Sequence, residues 1–254
     1  PGIGAVKLKV MLEREGETKV PSHSTINAVF KRNGLITAEA SEAAKVTERF
    51  EHEGPNQMWQ VDFKGHFAMG DGQRCHPLSI LDDHSRYCLC ADALTNERRA
   101  GVQSCFERVM REHGQPQILL CDNGNPWGTP QSTGFSGLEI WLMEHGILPM
   151  HIRAYRPRTQ GKVERFNGSY KAERLKYYLP KDIEDAMRTR LEYQAFYNNI
   201  RPHHALGLDV PAAHYRHSDT EFQEEIEAWS YSGKYEVRKI KSTGYLTFRN
   251  HGYY

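Results

Sequence analysis

Residues 118–121, Ile-Leu-Leu-Cys, form an unbroken apolar run that stops at Asp122 and the turn-forming segment Asn-Gly-Asn-Pro. A run this short, closed by turn residues, predicts a central strand buried on both faces. Such a strand needs helices above and below its sheet, which makes the chain a mixed α/β layer structure. It also sets Asp122 at the carboxyl end of an interior strand, where the active sites of open sheets gather.

The flanking segments complete the pattern. Residues 58–63, MWQVDF, alternate, with Trp59, Val61 and Phe63 on one face and Gln60 and Asp62 on the other. Gly70-Asp71-Gly72 predicts a hairpin turn, and the strands 76–83 and 86–94 after it extend an antiparallel three-strand meander. Asp83-His84-Ser85-Arg86 reads as a polar hairpin turn. A helix over 97–113 turns Val102, Phe106, Val109 and Met110 inward, and a second over 136–145 buries Leu138, Trp141 and Leu142. A short strand at 147–152, a basic loop at 153–160, a helix from Gly161 to Lys176 and a long helix capped by Asp182 follow. The long helix is expected to turn Ile183, Met187, Leu191 and Ala195 inward. The order is β-β-β-α-β-α-β-α, ending in an acidic stretch (219–227) and an alternating segment (229–250) expected to hold two or three strands.

Upstream, residues 4–15 and 22–33 predict two short helices, the first with Leu8, Met11 and Leu12 inward, the second capped by Ser22 with Ile26, Val29 and Phe30 inward. Residues 37–57 are polar and end near Gly54-Pro55, as a linker does. The pair is either an ordinary helical hairpin or a helix-turn-helix unit offering Ser22, His23, Ser24, Asn27, Lys31 and Arg32 to DNA.

The net charge of +1 conceals segregation: between Arg153 and Lys176 eight Lys or Arg stand against two Glu. No apolar run is long enough for a membrane span and no signal peptide is visible, so an intracellular protein is expected. The first residue is Pro1 rather than Met, which suggests a fragment. Cys75, Cys88, Cys90, Cys105 and Cys121 lack a C-x-x-C pair and read as reduced structural thiols. The adjacent His203 and His204 read as surface or capping residues.

Three carboxylates stand out by position. Asp62 lies on the polar face of its strand, Asp122 ends the apolar strand, and Glu164 lies in the first turn of the helix after the basic loop. If the two strands are neighbours, the acids converge, and three oxygen donors suit Mg²⁺ or Mn²⁺ rather than zinc. Two such ions about 3.5–4 Å apart clamp the attacking and leaving oxygens of a phosphodiester. Gly168 and Lys171 follow Glu164 on the same helix face, where Lys171 can track a phosphate; Arg153, Arg156, Arg158, Lys162 and Arg165 can hold others. By position alone each acid is more often a turn or cap residue, with Asp71, Asp82, Asp83 and Asp92 as competitors.

Five ordered motifs, WQVDFKG, ILDDHSRY, LLCDNGNPW, YRPRTQGKVERFNGSYKAE and YNNIRPHHALGLDVPAAHY, resemble the integrase-core transposases of bacterial insertion sequences across residues 56–216. The segment VPSHSTINAVFKRNGLI resembles the helix-turn-helix of that family. The resemblance implies an RNase H-like fold, a mixed five-stranded sheet flanked by helices. Its domains would be a helix-turn-helix segment (1–36), a linker (37–55), the catalytic core (56–216) and a small β module after an acidic linker (217–254). It implies a metal triad of Asp62, Asp122 and Glu164 holding two Mg²⁺ or Mn²⁺ ions, with DNA contacts at Gln160 and the basic residues already named. It also implies hydrolysis that frees a 3′-OH at an element end, transfer of that hydroxyl to target DNA, and a homodimer or larger assembly on double-stranded DNA in a bacterial cytoplasm. The 41 residues between Asp122 and Glu164 exceed the usual interval, through the loop NPWGTPQSTGFSG. The zinc-binding N-terminal module of retroviral integrases is absent. A regulator that kept the fold without catalysis, and a nuclease without strand transfer, remain alternatives.

Overall fold

The computed structural model describes residues 3–36, 51–128, 134–152, 160–226, 231–234, 236–238, 240, 245–249 and 251–253. Residues Pro1–Gln223 and Glu224–Tyr254 are two separate units. In the first, strands β1 (Met58–Phe63), β2 (Phe67–Ala68), β3 (Arg74–Asp82), β4 (Cys88–Leu94), β5 (Ile118–Cys121) and β6 (Leu148–His151) make one mixed sheet. The expected meander is there: β1 runs antiparallel to β3 and β3 antiparallel to β4. β1 is parallel to β5, and β5 to β6, which puts the apolar run in the interior of the sheet. The two-residue β2, too short to leave a period in the sequence, pairs with the start of β3.

Helices cover both faces. Helices α3 (Arg99–His113) and α4 (Gly137–Glu144) bury Val102, Phe106, Val109, Leu138 and Leu142 against Trp59, Val61, Leu78, Ile80 and Leu119. Ser136 and Glu139 close a reciprocal capping box at the start of α4. On the other face, α5 (Gly161–Tyr170), its continuation as a π-helical turn (Lys171–Leu175) and α6 (Ile183–Asn199) pack Val163, Phe166, Tyr170, Tyr193 and Tyr197 on Leu81, Cys88 and Ala91. All five cysteines are buried and free. No helix among the described residues is long and apolar enough to cross a membrane.

The inward stripe of α6 departs from expectation. Ile183 and Met187 are half-buried, but Leu191 is 45% exposed and Ala195 faces solvent. A strict four-residue step overshoots a helical turn by roughly 40° each time, so the stripe drifts off the buried face. Ala186, Thr189, Arg190, Tyr193 and Tyr197 occupy that face instead.

The segment after α6 is also more buried than its polarity suggests. Asn198 accepts from Cys88 N at 2.8 Å and donates to Cys88 O at 2.9 Å, completing the hydrogen bonding of β4. Arg201 donates to both Glu173 carboxylate oxygens through Nε and Nη2, and the Tyr193 hydroxyl donates to the same carboxylate. His203, expected at the surface, is buried edge-on to the Tyr197 ring, and burial lowers its pKa to about 3.

Helices α1 (Ala5–Arg14) and α2 (His23–Arg32) enclose a small core of Ala5, Ile26 and Phe30. Met11 and Leu12 are only half-buried and Val29 is 42% exposed, because ten-residue helices meeting once share a narrow contact. Ser22 caps α2 through Thr25 N as expected. Among its described residues the second unit holds one hairpin, β7 (Leu246–Phe248) and β8 (His251–Tyr253). The described residues of 231–240, expected to alternate as a strand, form none; alternation makes a strand only where a neighbour completes the ladder. Most of the expected linker, residues 37–50, lies outside the described residues.

Arg201 and Glu173 are both nearly inaccessible, so removing one leaves a buried unpaired charge. Arg201→Ala should lower the unfolding free energy by about 3–5 kcal/mol in urea titration; a loss under about 1 kcal/mol, the exposed-pair value, would show that the pair adds no more than a surface one.

Candidate active site

Gln60 and Asp62 point to the α5 side of β1, opposite Trp59 and Val61, because strand side chains alternate. Two strand residues advance about 6.6–6.8 Å and four helical residues about 6 Å, so a helix lying along β1 keeps step with it. Val163 N donates to Gln60 Oε1 at 3.3 Å, and Asn167 Nδ2 donates to Asp62 Oδ2 at 3.0 Å. At the start of α5 the Gln160 amide donates to Val61 O. These bonds fasten the first turns of α5 beside Asp62 and leave Glu164 exposed at the same edge.

Asp122 comes to this edge through sheet register. β1 and β5 pair as Met58–Ile118, Trp59–Leu119 and Gln60–Leu120. Continuing that offset by two residues sets Asp122 abreast of Asp62. Its Oδ1 accepts from Gly124 N at 2.9 Å, and the turn folds back with Trp127 N and Gly128 N both donating to Gly124 O. Trp127 anchors the loop in the core, edge-on to Phe106 at 6.0 Å and beside Phe63 at 6.1 Å. On the far side, His151 lies between Asp122 O and the buried Glu139 carboxylate, 2.8 Å from each. Burial works to raise Glu139, but hydrogen bonds from His151 and Ser136 outweigh it and hold the acid below its usual value.

The three acids lie near enough for the charges of two to act on the third. Asp62 is pushed up to about 6, first by burial and then by the charges of Asp122 and Glu164, against the opposing effects of the Asn167 hydrogen bond and Lys64. An all-oxygen set carrying unrelieved negative charge fits a hard divalent cation. The set is open: among the described residues, the one group of three His, Cys, Asp or Glu side chains whose ligand atoms all lie within 4.8 Å of one another is Cys90, Asp92 and Cys105. That group is already satisfied, since Arg108 donates to both Asp92 oxygens at 2.7 and 2.6 Å and Cys105 Sγ donates to Asp92 at 2.9 Å. The Cys105 hydrogen bond and burial hold the Cys90 thiol well above its ordinary value.

The residues expected to meet DNA divide into three groups. Arg165, Gly168 and Lys171 are exposed, and a Cβ on Gly168 would meet nothing within 4 Å. Ser24, Asn27, Lys31 and Arg32 lie on the exposed side of α2. Gln160 and Lys162 depart from expectation. Gln160 is 3% exposed and held by β1, and Lys162 Nζ sits 2.6 Å from the buried Asp83 carboxylate. The third group, Arg153, Arg156 and Arg158, lies outside the described residues.

Asp83 also accepts from Gln60 Nε2 at 2.8 Å and His52 N at 3.0 Å, so the Asp83–Arg86 turn is a buried junction between β1, α5 and residues 51–52 rather than a polar surface hairpin. Sequence reasoning missed Gln60, Asp83 and Asn167. Gln60 precedes Asp62 by two residues and Asn167 follows Glu164 by three, so strand and helix periodicity put both on the site's faces.

The fold and site agree with relatives. Two family models, each described as an integrase core domain, match residues 52–157 and 145–211. Together the two matches span residues 52–211, and over that stretch the chain is similar to integrase core domains. It is 26% identical over 215 residues to the insertion element IS407 uncharacterized 31.7 kDa protein of Burkholderia multivorans, covering 82% of this chain and 74% of that one. It is 27% identical over 165 residues to the insertion element IS476 uncharacterized 39.2 kDa protein of Xanthomonas euvesicatoria, covering 64% of this chain and 46% of that one. Among solved structures, a simian T-cell lymphotropic virus intasome in complex with a PP2A regulatory subunit superposes with a TM-score of 0.53 at 17% identity, covering 83% of this chain and 79% of that one. The sheet is thus the RNase H-like sheet of integrase catalytic cores, and insertion-element proteins are among the chain's relatives.

Because the pKa of Asp62 is raised, the folded chain holds that proton more tightly than the unfolded chain, and stability falls as pH rises from about 4 through about 6. In metal-free buffer, Asp62→Asn should therefore melt higher than the parent above about pH 7 and match it near pH 4. Scanning calorimetry across that range checks it; a pH-independent difference would contradict the raised value.

Proposed function

We propose that the chain is a DDE transposase, which cuts a phosphodiester at the end of a DNA element and joins the freed 3′-OH to target DNA. The observation that carries this is the meeting of Asp62, Asp122 and Glu164 at one edge of an integrase-core sheet, with the charges of the other two raising Asp62. The three carboxylates would hold two Mg²⁺ or Mn²⁺ ions, which supply charge neutralisation and an activated water when bound.

The chain's own groups do the rest. Asn167 orients Asp62, and the Asp122 loop is pinned by Trp127 in the core and by His151 at its main chain. Lys171 and Arg165, exposed beyond Glu164, would hold the flanking phosphates, and the bare backbone at Gly168 would let the DNA strand approach. The exposed Ser24, Asn27, Lys31 and Arg32 of α2 would read or grip duplex DNA as a helix-turn-helix does. Joining two element ends calls for a dimer or larger assembly on the DNA.

The test incubates the protein with Mn²⁺ and labelled DNA carrying candidate element ends. Wild type should cut and join, while Asp62→Asn, Asp122→Asn and Glu164→Gln should each lose at least about a hundredfold in rate, the scale of a lost electrostatic contact to the reacting centre. Equal activity in all four proteins would refute the triad, and cutting without joining would make the chain a nuclease. Duplex binding without cutting would make it a regulator. Lys171→Ala should weaken DNA binding and reduce the salt slope by about one; an unchanged slope would remove Lys171 from the DNA.

A further inference from the structure

Arg190 is fully buried in the middle of α6, a helix whose buried face is otherwise built largely of Ala186 and two tyrosines. No carboxylate among the described residues pairs with it, and its Nε and Nη1 are buried without a hydrogen-bond partner. Its guanidinium stacks over the Tyr170 ring at 4.9 Å. Only Nη2 is engaged, donating to Leu78 O and to Ser79 Oγ, each at 2.9 Å. An aliphatic side chain would fill the same space without a buried charge, so the charge needs an explanation beyond packing.

Ser79 supplies it. In the β1–β3 ladder Ser79 is the direct cross-strand partner of Asp62, so both side chains stand on the α5 face. Ser79 Oγ donates to Asn167 Oδ1 at 2.7 Å, and Asn167 Nδ2 donates to Asp62 Oδ2 at 3.0 Å. Ser79 and Asn167 are both wholly inaccessible. A donor presses on one lone pair of Ser79 Oγ, which leaves the hydroxyl proton free to point at Asn167. That fixes the amide with its oxygen toward Ser79 and its NH₂ toward the carboxylate. The flipped amide would set oxygen against oxygen at Asp62. The chain of donors runs one way, from the buried cation to the acid.

We propose that Arg190 and Ser79 are positioning residues for Asp62, acting through Asn167 to hold Oδ2 and present Oδ1 to a divalent cation. This rests on the metal-triad reading of the site.

Four variants of the chain test it. Ser79→Thr and Ser79→Val are nearly isosteric and differ in the hydroxyl, and Asp62→Asn serves as control. Mn²⁺ binding is followed by electron paramagnetic resonance, and the Asn167 side-chain amide by ¹⁵N NMR. Wild type and Ser79→Thr should bind Mn²⁺ alike and show a slowly exchanging Asn167 amide. Ser79→Val should bind about tenfold more weakly, the loss typical when a ligand's supporting partner is removed, with a faster-exchanging amide. Equal Mn²⁺ affinity in the Val and Thr variants would overturn the proposal while leaving the triad standing. If wild type and Asp62→Asn bind Mn²⁺ equally, the triad reading itself fails and the proposal with it. Arg190→Lys, which keeps a donor but shortens its reach, should fall between wild type and Ser79→Val; a loss confined to melting temperature would reduce Arg190 to a core residue.

Discussion

The site depends on one match of lengths, the advance of two residues along β1 against four along α5. Gln60 meets Val163 and Asp62 meets Asn167 because those repeats nearly agree. Everything that makes α5 lie straight on β1 therefore contributes to the position of Glu164. Gln160 fastens the helix start to Val61 O, Lys162 pins its first turn to Asp83, and Phe166 and Tyr170 bury its far end among the tyrosines of α6. Glu164 itself makes no such bond and can stay exposed, because its neighbours on the helix hold the backbone in place.

Opposed to this rigidity is the repulsion that it enforces. The sheet register and the helix bring three carboxylates together, and Asp62 responds by holding its proton to about pH 6. A fold stabilised only for its own sake would separate those charges or pair them with a cation. Three of its other acids are paired in that way, Asp83 with Lys162, Glu173 with Arg201 and Asp92 with Arg108, while the buried Asp82 is held by hydrogen bonds from Asn56 and Ser85. The proposed triad has no ion-pair partner among the described residues, the arrangement expected where charge is to arrive from outside.

Much of this was legible in the sequence, and for identifiable reasons. The apolar run before Asp122 and the alternation around Asp62 marked both segments as strands and left their adjacency as a condition, which the parallel pairing of β1 and β5 meets. The helix starts at Ser22, Ser136 and Asp182 carry capping side chains, which are local signals. What the sequence hid was polar burial. Gln160, Lys162, Asp83 and Arg190 have the composition of a surface, yet each is withdrawn into the fold by a partner far away in the chain, and His203 is buried against Tyr197, six residues before it. Periodicity tracks apolar residues, so it misplaced the stripe of α6, whose buried face includes an arginine and two tyrosines. The described residues of 231–240 form no strand for a related cause, because alternation records a face but not the neighbour that must pair with it; within the expected segment, β7 is the strand that finds one, in β8.

The central claim is that Asp62, Asp122 and Glu164 together form a cation site. Anomalous diffraction from crystals soaked in MnCl₂ tests it most directly. Manganese peaks bounded by these three carboxylates are the predicted result. Peaks at Cys90, Asp92 and Cys105 instead, or none beside Asp62, would contradict the account.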